Sequence, residues 1–111
     1  MSDLKQQHCT PCEGGVEPID RRAAENLLSQ AKGWRLNETA KEISRTYNFK
    51  NFYETMAFVN ALAWVAHRED HHPDLEVGYK RCRVRYSTHA IGGLSMNDFI
   101  CAAKVNDLIG E

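Results

Sequence analysis

The sequence predicts an α+β domain: a four-stranded antiparallel sheet with three helices packed on one face, in the order α-β-β-α-β-β-α. Three observations carry this expectation. Residues 51–69 hold apolar side chains at helical spacing. Residues 41–49 and 81–88 alternate apolar and polar positions, as strands with one buried face do. The strands fall into two hairpin-like pairs, one on each side of the long helix, and hairpins build antiparallel sheets.

The elements follow in order. Residues 1–17 include Pro11, Gly14 and Gly15 without periodicity and read as a flexible arm, leaving 18–111 as a single domain. Asp20 is placed to cap a helix running through Leu28, with Ala24, Leu27 and Leu28 on one side. Gly33 ends that helix. Trp34 to Glu38 reads as the first strand, with Trp34 in the core and Asn37-Glu38-Thr39 as the turn. Lys41 to Phe49 is the second strand; Ile43, Tyr47 and Phe49 share a face, and Arg45 is the exception.

Asn51 opens the long helix, which is expected to run to about Glu69. Phe52, Met56, Val59, Ala63 and Ala66 form the stripe expected to face the sheet. Tyr53, Ala57, Phe58, Ala61, Trp64 and Val65 are apolar on the other side. A helix apolar nearly all round must be covered on both sides, which points to a homodimer or homotetramer. Pro73 closes this region, Leu75 to Tyr79 is a third strand, and 81–88 is the fourth, with Cys82, Val84 and Tyr86 inward. Gly92-Gly93 makes a turn, and Ser95-x-x-Asp98 is a capping pattern for a last helix to about Ile109.

At 111 residues one domain is expected. A net charge of −1 and a pI near 6.5 supply no basic stripe for phosphates, which argues against nucleic acid. No apolar run approaches the ~18 residues of a membrane span. The polar start Met1-Ser2-Asp3-Leu4-Lys5 lacks the apolar centre of a signal peptide, so a cytoplasmic address is expected. The four cysteines are too sparse for a secreted scaffold and are expected to be reduced.

The chemistry concentrates in Asp70-His71-His72-Pro73, then Ser87-Thr88-His89, then Asp98. Histidine titrates near neutrality, so two imidazoles can serve as acid and base together. A histidine pair at a helix C-terminus is also favoured by the helix dipole alone. Thr88-His89 and Asp98 at further element ends tip the balance toward a site.

These segments, with Gly93-Leu94-Ser95, Gly33-Trp34 and Phe49-Lys50-Asn51-Phe52, resemble the signature of the pterin-4a-carbinolamine dehydratase family over about residues 18–109. The resemblance implies the same α+β fold in dimers or tetramers. It implies dehydration of the 4a-hydroxytetrahydropterin released by aromatic amino acid hydroxylases to a quinonoid dihydropterin. Hydroxide leaves carbon 4a while nitrogen 5 loses a proton, so an acid and a base suffice and no metal or organic cofactor is implied. By resemblance, His71 and His89 do the acid–base work, and His72 positions the ring and relays a proton. Asp70, Ser87, Thr88 and Asp98 orient the imidazoles or hold polar edges of the pterin, and Pro73 fixes the backbone. The family often carries an acidic residue one helical turn before the pair. Here that position is His67, and Glu69 would point about 160° around the helix from His71.

Two other readings start from the same residues. His67 and His71 have a spacing that can share zinc, and His8-Cys9-x-x-Cys12 resembles half a zinc knuckle; neither has a complete ligand set. The resemblance also implies a non-catalytic alternative, since animal relatives bind a homeodomain transcription factor through a helical surface. Retention of all three histidines favours the enzyme.

Overall fold

The computed structural model describes residues 3–11 and 16–111. Three helices and four strands run in the expected order: α1 (Arg21–Leu27), β1 (Arg35–Leu36), β2 (Ile43–Asn48), α2 (Phe52–Glu69), β3 (Asp74–Val77), β4 (Arg81–Tyr86) and α3 (Met96–Leu108). The sheet order is β1-β2-β4-β3, every neighbour antiparallel. The two hairpins are thus joined along β2 and β4, with Ile43 opposite Tyr86 and Tyr47 opposite Cys82.

Alternation sorts the two faces of the sheet. Ile43, Tyr47, Cys82, Val84 and Tyr86 are buried beneath the helices, among Ala24, Phe58, Leu62, Phe99 and Val105. Ser44, Thr46, Asn48, Arg81, Arg83 and Arg85 occupy the opposite, polar face. Arg45, the exception in the sequence pattern, does point to the helical side. Its guanidinium carbon lies over the Tyr47 ring, 4.5 Å from the centroid, and its nitrogens reach Asn106 Oδ1 (2.7 Å), Lys32 O (2.8 Å) and Glu111 (3.0 Å). A long side chain can lie on apolar surface and carry its charge to the edge. Trp34 is core as expected, buried with its indole N–H donated to Asn106 Oδ1 at 3.0 Å.

Strand ends are tighter than the sequence suggested. β1 has only two residues because Asn37 Oδ1 accepts the amides of Lys41 and Glu42 and turns the chain early. β4 stops at Tyr86 because Thr88 pairs instead with Gly93, in an isolated bridge around the 3₁₀ turn His89–Ile91.

Helix α2 is capped as expected, Asn51 Oδ1 accepting the Glu54 amide at 2.9 Å. Its buried stripe is not the expected one. Thr55, Phe58, Leu62 and Glu69 are inward, whereas Phe52 is 43% exposed and Ala63 is exposed. Two polar residues sit on the buried side because each has a partner there. Thr55 Oγ1 donates within reach of Asn51 O and Tyr79 O, both at 3.0 Å, and Glu69 binds the N-terminal segment.

That segment differs from the loose arm read from the sequence. Leu4 is 2% exposed in a 3₁₀ turn (Leu4–Gln6) packed against α3. The Leu4 amide donates to Gln30 Oε1 (3.0 Å) and Lys104 Nζ to Lys5 O (2.9 Å). The burial of one large apolar side chain adds to these polar contacts in holding this strap on the body. Cys12, Gly14 and Gly15 lie outside the described residues.

Candidate active site

The site forms where α2, β4 and α3 end or begin. Helix α2 stops at Glu69, and Asp70 takes the left-handed conformation (φ 52°) that Asp tolerates better than most residues. The amides of Asp70 and His71 then return to the last helical carbonyls, His71 N–H reaching Ala66 O at 3.2 Å. This reversal swings the His71 ring inward. It also invalidates the 100°-per-residue projection that put Glu69 and His71 on opposite sides: both border one cleft.

His71 Nε2 lies 2.6 Å from Asp98 Oδ1. The ring stacks on Tyr86 with centroids 5.6 Å apart and planes 10° apart. Asp98, fully buried, sits at the third position of α3 in a capping box with Ser95. Its Oδ2 accepts from the Ser95 amide (2.9 Å) and from Thr88 Oγ1 (2.8 Å). Thr88 Oγ1 is also 2.7 Å from Ser95 Oγ. With Oδ2 taken up by the Ser95 amide and the Thr88 hydroxyl, Oδ1 is left as the acceptor facing His71, which places hydrogen on the His71 nitrogen toward it. Neutral His71 therefore has its proton on Nε2 and its lone pair on Nδ1.

The cleft has a volume of about 450 Å³, within the range of small-molecule sites. Asp70, His71, His72, Ser87, Thr88 and His89, all expected from the sequence, line it. Asp98 stands behind His71 rather than on the wall, and Pro73 is not on the wall. His72 is exposed, with Nδ1 3.2 Å from Pro73 O; His89 is exposed in the 3₁₀ turn closed by left-handed Gly92.

Sequence reasoning missed Cys9, Thr10, Pro11, Glu69, Ala90 and Asn97 as wall residues. Glu69 Oε1 accepts the Cys9 amide at 2.7 Å, and Oε2 lies 3.0 Å from His8 Nδ1. Lys104 Nζ is 3.8 Å away. Burial raises the Glu69 pKa, but these donors and charges outweigh it and hold the carboxyl below its ordinary value. Asn97 accepts the Thr10 amide through Oδ1 (3.1 Å) and donates through Nδ2 to Thr10 O (2.6 Å). No local pattern could have flagged these pairs, because 60 and 87 residues separate the partners.

The zinc spacing is not used as such. His67 is exposed with its ring 5.5 Å from Trp64, while His71 faces Asp98. Among the described residues, no three His, Cys, Asp or Glu side chains are grouped to hold a metal ion. Likewise no helix is long and apolar enough to cross a membrane.

Comparison with known proteins gives a consistent picture. Residues 17–108 match the family model described as Pterin 4 alpha carbinolamine dehydratase. A protein of Nitrosomonas eutropha, provisionally named pterin-4-alpha-carbinolamine dehydratase, is 64% identical over 98% of this chain and 96% of its own. One of Nitrosospira multiformis with the same provisional name is 55% identical over 97% and 94%. Among solved structures, the transcriptional coactivator/pterin dehydratase from Brucella melitensis superposes with a TM-score of 0.80 at 28% identity, covering 85% of this chain and 100% of its own. A pterin dehydratase-like RuBisCO assembly factor of the alpha-carboxysome shares the fold, with a TM-score of 0.64 at 22% identity over 74% of this chain and 95% of its own.

Proposed function

The chain belongs to the pterin 4 alpha carbinolamine dehydratase family, and from that premise we propose that it removes water from a 4a-hydroxytetrahydropterin by histidine acid–base catalysis. The observation that carries the proposal is the His71–Asp98 pair at 2.6 Å, bordering a cleft that His72 and His89 also line. The reaction breaks the bond from carbon 4a to the hydroxyl oxygen and removes the proton from nitrogen 5. The nitrogen 5 electrons become the new double bond to carbon 4a.

In this proposal His71 Nδ1 takes the nitrogen 5 proton. Its partner Asp98 holds the opposite nitrogen protonated and stabilises the imidazolium that forms. His89 protonates the departing hydroxyl, so water rather than hydroxide leaves. His72 steadies the ring and relays protons to solvent. Asp70, Ser87 and Thr88 hold polar edges of the pterin, and Pro73 limits the backbone behind the pair. Proton transfer is the whole of the chemistry, so neither a metal nor an organic cofactor is assigned a role.

The aromatic amino acid hydroxylase that would supply the substrate, and a cytoplasmic setting, belong to the same proposal. The alternative of a non-catalytic binding module leaves a buried carboxylate spent on aiming an imidazole at a cleft. The test is dehydration of a hydroxylase-generated carbinolamine, measured above the spontaneous rate. His71→Ala and His89→Ala should each lose ~10²-fold or more, the usual size of a general acid–base contribution. Full activity in the double variant would sink the mechanism.

Self-association through α2 is also proposed, on a surface revised by the fold. Tyr53 is 81% exposed and Trp64 61% exposed, with Phe52 and Ala57 beside them on the outer side. Such a patch is characteristic of an interface. Ala57→Glu should split the homodimer or homotetramer, because it puts an unpaired charge in an apolar seam. Light scattering that finds the unaltered protein monomeric at micromolar concentration contradicts this.

A further inference from the structure

Two sulfurs that the proposed reaction does not use meet at one wall of the cleft. Cys9 lies in the strap, ahead of residue 17 where the family match begins, and borders the same cleft as His71, His72 and His89. Its Sγ is 3.5 Å from Cys101 Sγ in α3 and 3.7 Å from Asn97 O. Both thiols are free; Cys101 is fully buried and Cys9 half-buried.

The approach of the two sulfurs is held from both sides. Glu69 Oε1 takes the Cys9 amide at 2.7 Å, and Asn97 grips the amide (3.1 Å) and the carbonyl (2.6 Å) of Thr10. Glu69 and Asn97 are themselves buried, so releasing these contacts would strand polar groups away from water. The backbone on each side of the Cys9 side chain is thereby fixed against α3. Cys101 stands within α3 (Met96–Leu108), among the core residues Ile100, Ala102 and Val105. A gripped segment and a packed helix that already bring two sulfurs into contact need only a small displacement to reach the ~2 Å of a disulfide bond.

The two sulfurs are not equivalent. The hydrogen bond with Cys9, and then burial, push the Cys101 thiol up, so it stays protonated and shielded. Cys9 opens on a cleft of about 450 Å³, which admits a small oxidant. We propose that Cys9 and Cys101 form an oxidation site for hydroperoxides, whose product is a disulfide that locks the strap wall of the cleft onto α3. The Cys9 sulfur, as thiolate, attacks one peroxide oxygen. The S–O bond forms, the O–O bond breaks, and the departing oxygen takes up a proton to leave as water or an alcohol. Cys9 has then given two electrons to the peroxide and is a sulfenic acid. The Cys101 sulfur displaces its hydroxyl and closes the S–S bond, and the Cys101 thiol proton leaves with that hydroxyl as water. This lock does not depend on the dehydratase reading.

The experiment treats the full, reduced chain with hydrogen peroxide, alkylates the remaining thiols and maps tryptic peptides without reductant. Residues 6–21, which carry Cys9 and Cys12, should be joined to residues 86–104, which carry Cys101. Free thiols should fall by two from the four of the reduced chain. The link joins residues 92 apart, so the thermal midpoint should rise by ~5 °C or more and return on reduction. Cys12→Ser should keep the link and the rise, whereas Cys9→Ser should lose both. Cys101→Ala should leave the Cys9 sulfenic acid open to capture by dimedone. A bond closed within residues 6–21 while Cys101 is alkylated, a link that survives Cys9→Ser, or a link that leaves the midpoint unmoved would each overturn the proposal.

Discussion

At Asp98 one carboxylate does the work of three contacts: it caps α3, anchors Thr88 and fixes the His71 tautomer. Asp98→Asn keeps the shape but presents an amide, whose oxygen and nitrogen cannot accept from all three donors. The expected outcome is a fall in kcat of ~10²-fold or more, because the His71 tautomer is no longer held, read by steady-state kinetics. A stability loss of about 1–3 kcal/mol should accompany it, from the buried donors left unpaired, read by urea unfolding. The histidine side of the cleft was legible in the sequence because it is locally encoded: Asp70 to Pro73 and Ser87 to His89 are short runs at element ends. The strap side was not, because an amide of Cys9 or Thr10 carries no signal about which distant side chain will accept it.

Helix α2 teaches a different lesson about its own phase. Its existence and caps follow from Asn51 and from the spacing of apolar residues, but with apolar side chains on nearly every side the pattern does not choose an inward face. The choice falls to partners the pattern cannot see, namely Tyr79 O for Thr55 and the strap for Glu69. Phe58, expected outside, packs on Tyr47 and Phe49 with centroids 4.7 and 5.1 Å away. Leu62, 1% exposed, should cost ~2–5 kcal/mol when cut to Ala. Ala63→Ser, on the face first expected to be buried, should stay within about ±0.5 kcal/mol. Chemical denaturation of both variants decides the phase: a larger loss at 63 than at 62 would contradict it. The strands show the same division. The alternation in β2 and β4 was readable, while the early stop of β1 depends on the two amides that Asn37 collects.

For the molecule as a whole, the strap ties stability to pH. The Glu69 carboxyl is held below its ordinary 4.5 in the folded state. A depressed folded pKa contributes stability that is fully present above the unfolded value and is lost as pH falls through the folded one. Thermal melts of the unaltered protein and Glu69→Gln should therefore differ at pH 7, with the gap closing as acid is added below about pH 4.5. A gap that widens in acid would show that the strap is not held through this carboxylate.

The contacts between Cys9 and Asn97 and between Cys9 and Cys101 also set an order of events during synthesis. Eighty-eight residues separate the first pair and 92 the second. The strap leaves the ribosome before either strand pair, then has nothing to lie against until α3 follows. Asp98, which aims His71, arrives equally late. A growing chain can form α2 and the β1–β2 hairpin early, but the His71–Asp98 pair and the seat of the strap on α3 wait for the last helix. Polypeptides stalled before α3 therefore carry His71, His72 and His89 without the carboxylate that aims the first of them.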